Sequence, residues 1–191
     1  MRRSIALASF IILCFIPART VLSADNPSMS EILVTNSGND LIFFSYLKDG
    51  FPRVSDERLQ SGLPMTFTYY VELRKKRALW VNSRVAFKTF VNSVKYDNLM
   101  KEYIYTKSEG EQKETRVTKD YKEMQRWVTI LEGAKLIDYN QLEPGEKYYV
   151  RVKAEIKPLS APFPLKYLKP FFPFLDQDTS WQESMPFAIK L

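Results

Sequence analysis

The chain contains no histidine, and its only cysteine, Cys14, lies in an apolar N-terminal run. Those absences remove whole classes of chemistry. Zinc sites built on Cys or His, Ser-His-Asp triads and Cys-His nucleophiles all need an imidazole or a set of thiolates that the sequence does not supply. Glycine is scarce as well. None of the six glycines is spaced as GxGxxG or GxxxxGK, so no phosphate-cradling loop of those kinds is present. Acidic runs are short: "DQD" at 176–178 and "SDE" at 55–57 lack the loop spacing of a Ca²⁺ site. A pair of carboxylates working as a hydrolase stays open, because 22 acids always contain some pair. No metal and no cofactor are expected.

What is present begins with "MRRSIALASFIILCFIPARTVLSADNP". Arg2 and Arg3 precede an apolar run from Ile5 to Ile16, which breaks at Pro17 and gives way to small residues. This is the pattern of a secretory signal peptide over residues 1–24, cut near Ser23 or Ala24. The run is shorter than the ~20 residues a membrane-crossing helix needs. Leu22 is a poor residue for a cut after Ala24, so an uncleaved anchor is the alternative. Cleavage after Ala24 leaves 167 residues, a single domain over 25–191. It removes Arg2, Arg3 and Arg19 and no acid, which lowers the formal net charge from +6 to +3. A mildly basic chain without a concentrated basic face does not read as a nucleic-acid binder. The lack of cysteine beyond residue 14 suits a bacterial periplasm or envelope better than a disulfide-stapled extracellular module.

Strands dominate the rest. In "MTFTYYVELRK", Met65, Phe67, Tyr69, Val71 and Leu73 fall on one face, with Thr66, Thr68, Glu72 and Arg74 on the solvent side. "KYYVRVKAEIK" repeats the alternation with Tyr148, Val150, Val152, Ala154 and Ile156 inward. Period-two alternation of this length marks a sheet with one buried side. "EILVTN" and "LIFFSYLK" flank the turn composition "SGND" and predict an opening hairpin. "VAFKTFVNSVKY" and "LMKEYIYTK" meet at Asp97 and Asn98, residues that tolerate the left-handed conformation of a tight turn. "SEGE" at 108–111 turns the chain again. "SMPFAIKL" alternates Met185, Phe187, Ile189 and Leu191, with Pro186 demanding an edge or a bulge. Tyr96, Leu99 and Tyr103 bracket one hairpin and read as cross-strand packing. "RKKR" at 74–77 reads as a solvated strand end.

Two segments have helical spacing. "TKDYKEMQRWVTILEG" offers Thr118 as N-cap and Gly133 as the stop, with Tyr121, Met124, Trp127, Val128 and Leu131 on one face. "SDERLQSG" predicts a shorter helix capped by Ser55 and ended at Gly62.

In "LEPGEKYYVRVKA", Pro144 and Gly145 sit where a type II turn wants them, and Leu142 and Tyr148 follow the alternation of the next strand. The segment resembles the E–F corner of fibronectin type III and other immunoglobulin-like domains, where such a Tyr bonds back across the turn. The resemblance implies sandwich architecture, not membership. A wider resemblance runs through "SGLPMTFTYYVELRKKRALW", "YDNLMKEY", the helix from Lys119, "LEPGEKYYVRVKA" and Trp181 with "ES". In that order they are similar to a bacterial family known as a domain of unknown function, numbered 4390. The resemblance implies a small exported protein, often encoded beside a sensor histidine kinase, with no assigned activity or site residues.

The oddest stretch is "PFPLKYLKPFFPFLD" at 162–176. A connection of this length, crowded with Pro, Phe and Leu, is neither a flexible linker nor an ordinary hairpin loop. The leading reading packs it on its own sandwich. If it serves a partner instead, Phe163, Tyr167, Phe171, Phe172, Phe174 and Leu175 are the candidate binding residues. Membrane contact beyond the signal peptide is the least favoured reading, because Lys166 and Lys169 are too few to hold anionic lipid.

The sequence thus predicts a mainly β, immunoglobulin-like antiparallel β-sandwich with one main α-helix inserted and a long apolar C-terminal connection. The expected function is that of a non-enzymatic, exported protein-interaction domain, with an unknown protein partner and a possible tie to two-component signalling through the family resemblance. The alternatives are a carrier of a small apolar ligand and, third, a carboxylate-pair hydrolase. Mass spectrometry of the protein from its own envelope is expected to find an N-terminus at Ala24 or Asp25; recovery of the intact 191-residue chain from the membrane would identify an anchor instead.

Overall fold

The computed structural model describes residues 26–51, 59–77, 81–158 and 177–189. The signal segment, Ser55, Trp80, Leu191 and the connection carrying Phe163, Tyr167, Phe171, Phe172, Phe174 and Leu175 lie outside the described residues.

The described strands form two antiparallel sheets. In the smaller one, β1 (Ser28–Met29) and β2 (Leu33–Ser37) pair with successive stretches of β3 (Asp40–Lys48), and β8 (Ile130–Asp138) pairs with β3 as well. The opening hairpin predicted around "SGND" is therefore present as β2 and β3. The larger sheet takes the order β10-β9-β4-β5-β6-β7: β10 (Gln177–Asp178), β9 (Lys147–Pro158), β4 (Met65–Lys75), β5 (Ser83–Asp97), β6 (Glu102–Glu109) and β7 (Gln112–Thr118). Two further short strands, β11 (Gln182–Glu183) and β12 (Phe187–Ala188), also pair with β9.

The alternation read from sequence sets the core. Met65, Phe67, Tyr69, Val71 and Leu73 of β4 are buried beside Tyr148, Val150, Val152, Ala154 and Ile156 of β9, as their register requires. Leu41, Phe43 and Leu47 of β3 close the core from the other sheet, and the Phe43 and Phe90 rings lie 6.1 Å apart across it. The protein is a mainly β sandwich; among the described residues its main helix, α1 (Tyr121–Thr129), is inserted between β7 and β8.

The helix departs from its predicted ends. Asp120, not Thr118, is the N-cap: its carboxylate accepts from the N–H groups of Lys122 (2.8 Å) and Glu123 (3.4 Å). Thr118 closes β7, accepting from the Asp120 N–H and donating to the Glu123 carboxylate. The helix stops at Thr129 because Val128, Thr129 and Ile130 are a β-branched run, and the chain passes straight into β8. Gly133 does not end the helix. It takes φ +59 inside β8, where the pairing with β3 shifts register, and a β-bulge needs the same left-handed freedom as a helix stop. Of the shorter predicted helix, Leu59 and Gln60 are helical and Gly62 ends the turn at φ +80.

Buried hydrogen bonds fix the helix to the larger sheet. The Val128 carbonyl, in the last turn and without a helical partner, accepts from the Tyr69 hydroxyl (2.7 Å) and the Asn92 amide (2.9 Å). The Tyr105 hydroxyl donates to the Asn92 side-chain oxygen at 3.2 Å. Desolvation by burial raises the Tyr69 hydroxyl far above its ordinary range and pushes Tyr105 up to about 12, so both stay protonated donors.

The C-terminal edge is also held by side chains. The segment 177–189 runs along β9, and its pairing slips by one residue at each break between β10, β11 and β12. At both breaks a buried hydroxyl replaces the lost carbonyl. The Ala154 N–H donates to Thr179 Oγ1 (2.9 Å), and the Val150 N–H donates to Ser184 Oγ (3.0 Å). Pro186 falls between β11 and β12, at an edge as expected. The alternation predicted for this strand fails at Met185, which is 80% exposed, while Ile189 is buried.

Other turns differ in detail. The β5–β6 connection is a four-residue loop in which Lys101, not Asp97 or Asn98, takes positive φ (55°). Asp97 instead accepts from the N–H groups of Leu99 and Met100, an Asx turn. The Tyr96 and Tyr103 rings pack at 4.8 Å, but Leu99 is exposed at the tip and takes no part in that packing. At the corner before β9, Gly145 has φ +80, and the Tyr148 hydroxyl accepts from the Glu143 N–H at 3.0 Å. The contact that the immunoglobulin-like comparison implies is present.

Tyr148→Phe is expected to lower stability by about 1 kcal/mol, because the Glu143 N–H loses its acceptor while the ring stays packed. Urea unfolding of the two proteins measures it, and coincident curves would show the corner bond to be dispensable.

Candidate functional site

The residues expected from sequence to bind a partner lie outside the described residues; the candidate site among the described residues is the outer face of the larger sheet. On β4, Glu72 and Arg74 point away from the core, as their alternation predicts, yet neither is solvated. Glu72 is 6% exposed. Its Oε2 accepts from Arg74 Nη1 at 2.8 Å and from Arg151 Nε and Nη2, each at 2.8 Å, while Arg84 Nη1 lies 3.6 Å from Oε1. One buried carboxylate therefore gathers three guanidiniums.

Register explains the convergence. Glu72 is opposite Arg151 on β9 and Phe87 on β5. Along regular pairing Arg74 would then face Val85. A bulge intervenes, and Arg74 faces Arg84 instead. A β-bulge re-aims a side chain, and here it turns Arg84 onto the face that holds the carboxylate. The "RKKR" run is accordingly not a uniformly solvated end. Arg74 also donates from Nη2 to the Asn82 carbonyl (2.5 Å), and Asn82 donates to the Tyr149 hydroxyl (3.1 Å). Lys75 pairs with Glu143 (2.8 Å) and Glu146 (3.2 Å), leaving Lys76 and Arg77 exposed.

Aromatic rings frame the cluster. The Arg151 guanidinium lies over the Trp181 ring at 4.3 Å, and Arg84 lies over Phe87 at 5.4 Å. Phe87 in turn stacks on Tyr70 at 6.3 Å. Farther along the same face the Tyr70 hydroxyl donates to Glu155 (2.8 Å), which also pairs with Lys157. Trp181, Phe87 and Arg84 remain 37%, 48% and 58% accessible, so the cluster can be touched from outside.

Burial alone would raise the Glu72 carboxyl, but hydrogen bonds and charge from Arg74 and Arg151 outweigh it and hold the group below the usual carboxylate range. The arrangement binds charge. It positions no nucleophile beside a base.

Two open grooves flank α1. One, of about 620 Å³, has Asp49, Asp120, Lys122 and Arg126 in its lining; the Asp120 carboxylate is engaged in capping the helix. The other, of about 460 Å³, brings Lys107, Arg116 and Arg126 beside Tyr105 and Trp127. Both linings mix charged and apolar side chains. Among the described residues no three Asp or Glu side chains converge as a metal site.

The Glu72 cluster escaped the sequence reading because strand alternation placed Glu72 and Arg74 on the solvent side.

Replacing Glu72 by Gln is expected to cost about 3 kcal/mol at neutral pH, since it leaves three guanidiniums without their counter-charge. A carboxyl held lower in the folded than in the unfolded chain stabilises fully above its unfolded value. That contribution is lost as the pH falls below the ordinary 4.5 and through the folded value. Urea midpoints taken between pH 3 and pH 7 should therefore fall more steeply for the wild type than for Glu72→Gln, and parallel curves would dismiss the ion cluster as a stabilising element.

No curated protein and no solved structure matches the chain. A family model does match, over residues 24–184. That span holds every described strand except β12, the helix and every arginine of the cluster, and the chain belongs to the family described as "Domain of unknown function (DUF4390)".

Proposed function

We propose that this protein is a non-enzymatic binding module of the bacterial envelope, and that it engages another protein through the outer face of its larger sheet. One observation carries the reading: Arg84, Arg151, Phe87, Tyr70 and Trp181 form one contiguous, partly accessible surface around a buried carboxylate. Arginine and large aromatics are the side chains that dominate binding energy at protein interfaces, and here their own packing has already restricted their rotamers. The export signal read in residues 1–24 supports placement in the envelope. The tie to two-component signalling rests on the family resemblance.

A photoreactive phenylalanine analogue placed at Phe87 tests the reading in the native envelope. It is expected to trap one discrete protein adduct, which disappears when Arg151 is also replaced by Ala. The same analogue at Lys113, on the opposite edge strand, should trap none. Absence of an adduct at Phe87, or equal adducts at both positions, would count against this face.

A further inference from the structure

We propose that the Glu72 cluster is an oxyanion-binding site that takes a dianionic phosphate group between Arg84 and Arg151. Three observations point to it.

Charge comes first. Three guanidiniums lie within 4.0 Å of one carboxylate, so two positive charges are left over. Among the described residues no second acid pairs with these guanidiniums: Glu143 and Glu146 share Lys75, Asp178 is held by Lys153, and Glu155 by Lys157 and Tyr70. Glu183, opposite Arg151 in register, is the nearby negative charge that offsets part of the surplus. A structural salt bridge needs one cation, and this carboxylate has three.

The bulge is the second. Regular pairing would set uncharged Val85 opposite Arg74; the bulge substitutes Arg84 and puts like charges directly across from each other. Such a pair is unfavourable in a sheet unless an anion lies between or above the two groups. Glu72 supplies only one negative charge for the purpose.

Donor geometry is the third. Arg84 makes one long contact, 3.6 Å to Glu72, and lies over the Phe87 ring, so its planar fork of donors stays open to solvent. Arg151 commits Nε and Nη2 to Glu72 and is braced by the Trp181 ring, which holds its guanidinium in one orientation while the side chain stays 24% exposed. The open Arg84 fork beside an oriented Arg151, with more positive than negative charge in the cluster, suits the three terminal oxygens of a phosphate better than a single carboxylate. Free phosphoesters and lipid headgroups share this chemistry.

The inference does not rest on the protein-binding reading, and crosslinking at Phe87 can fail while phosphate binds, or the reverse. The test is a titration of the ¹⁵N-labelled protein with inorganic phosphate at constant ionic strength, followed through the arginine Nε and tryptophan Nε1 resonances. Saturable shifts at Arg84, Arg151 and Trp181 are expected. Arg84→Ala, a change at an exposed side chain, should weaken binding at least tenfold with an unchanged melting temperature, and Arg84→Lys should recover only part of it. Lys107→Ala, in the groove beside α1, should bind like the wild type. Flotation with phosphatidic acid vesicles against phosphatidylcholine vesicles then separates the sources. Selective flotation competed by free phosphate assigns the site to a lipid headgroup, and shifts without flotation assign it to a soluble phosphoester. Shifts matched by chloride, or retained in Arg84→Ala, would overturn the site. A hexaglutamate peptide that binds the same residues more tightly than phosphate would overturn the phosphate assignment in favour of an acidic polypeptide.

Discussion

The carbonyl of Val128 ties the helix to the sheet. It belongs to the last turn of α1, where a carbonyl has no helical donor, and it lies in the core where no water replaces one. Tyr69 from β4 and Asn92 from β5 both donate to it, and Tyr105 from β6 completes the chain through Asn92. Two neighbouring strands thus donate to one acceptor, and a third is linked to it through Asn92. Leaving any of these buried groups unpaired would cost about 1–3 kcal/mol, so the helix has one seat on the sheet. Apolar contacts from Met124 and Val128 are less directional and would tolerate sliding.

The same strands present a different chemistry on their other side. Inward, β4 carries Phe67, Tyr69, Val71 and Leu73; outward it carries Tyr70, Glu72 and Arg74. Core packing on one side fixes the strands rigidly enough to hold guanidiniums and rings in place on the other. The bulge in β5 exploits that rigidity, because a one-residue slip in a fixed frame moves Arg84 onto the carboxylate side. The outer face owes its order to the inner one.

Hydroxyls recur as substitutes for backbone partners. Thr179 and Ser184 accept from β9 where the C-terminal edge slips register, and Tyr148 accepts from the Glu143 N–H at the corner. Each is a polar atom in an apolar setting that satisfies a donor the sheet cannot reach. With them the edge follows β9 through two breaks without leaving buried N–H groups orphaned there.

Alternation in "MTFTYYVELRK" and "KYYVRVKAEIK" determined by itself which residues form the core and that the protein is built from sheets, because the period of two leaves no other face for them. The Pro-Gly corner and Tyr148 were legible for the same reason: fixed φ and positive φ are local demands. Chain-local reasoning went astray where one residue type serves two purposes, as Gly133 does in a bulge rather than a helix stop, or where a second cap stands two residues away, as Asp120 does beside Thr118. The Glu72 cluster was decided only by tertiary structure. Its members come from positions 72, 74, 84, 151 and 181, and their convergence depends on strand order, on one bulge and on a slipped edge strand. Those are properties of pairing between distant segments, and no local pattern in the chain encodes them.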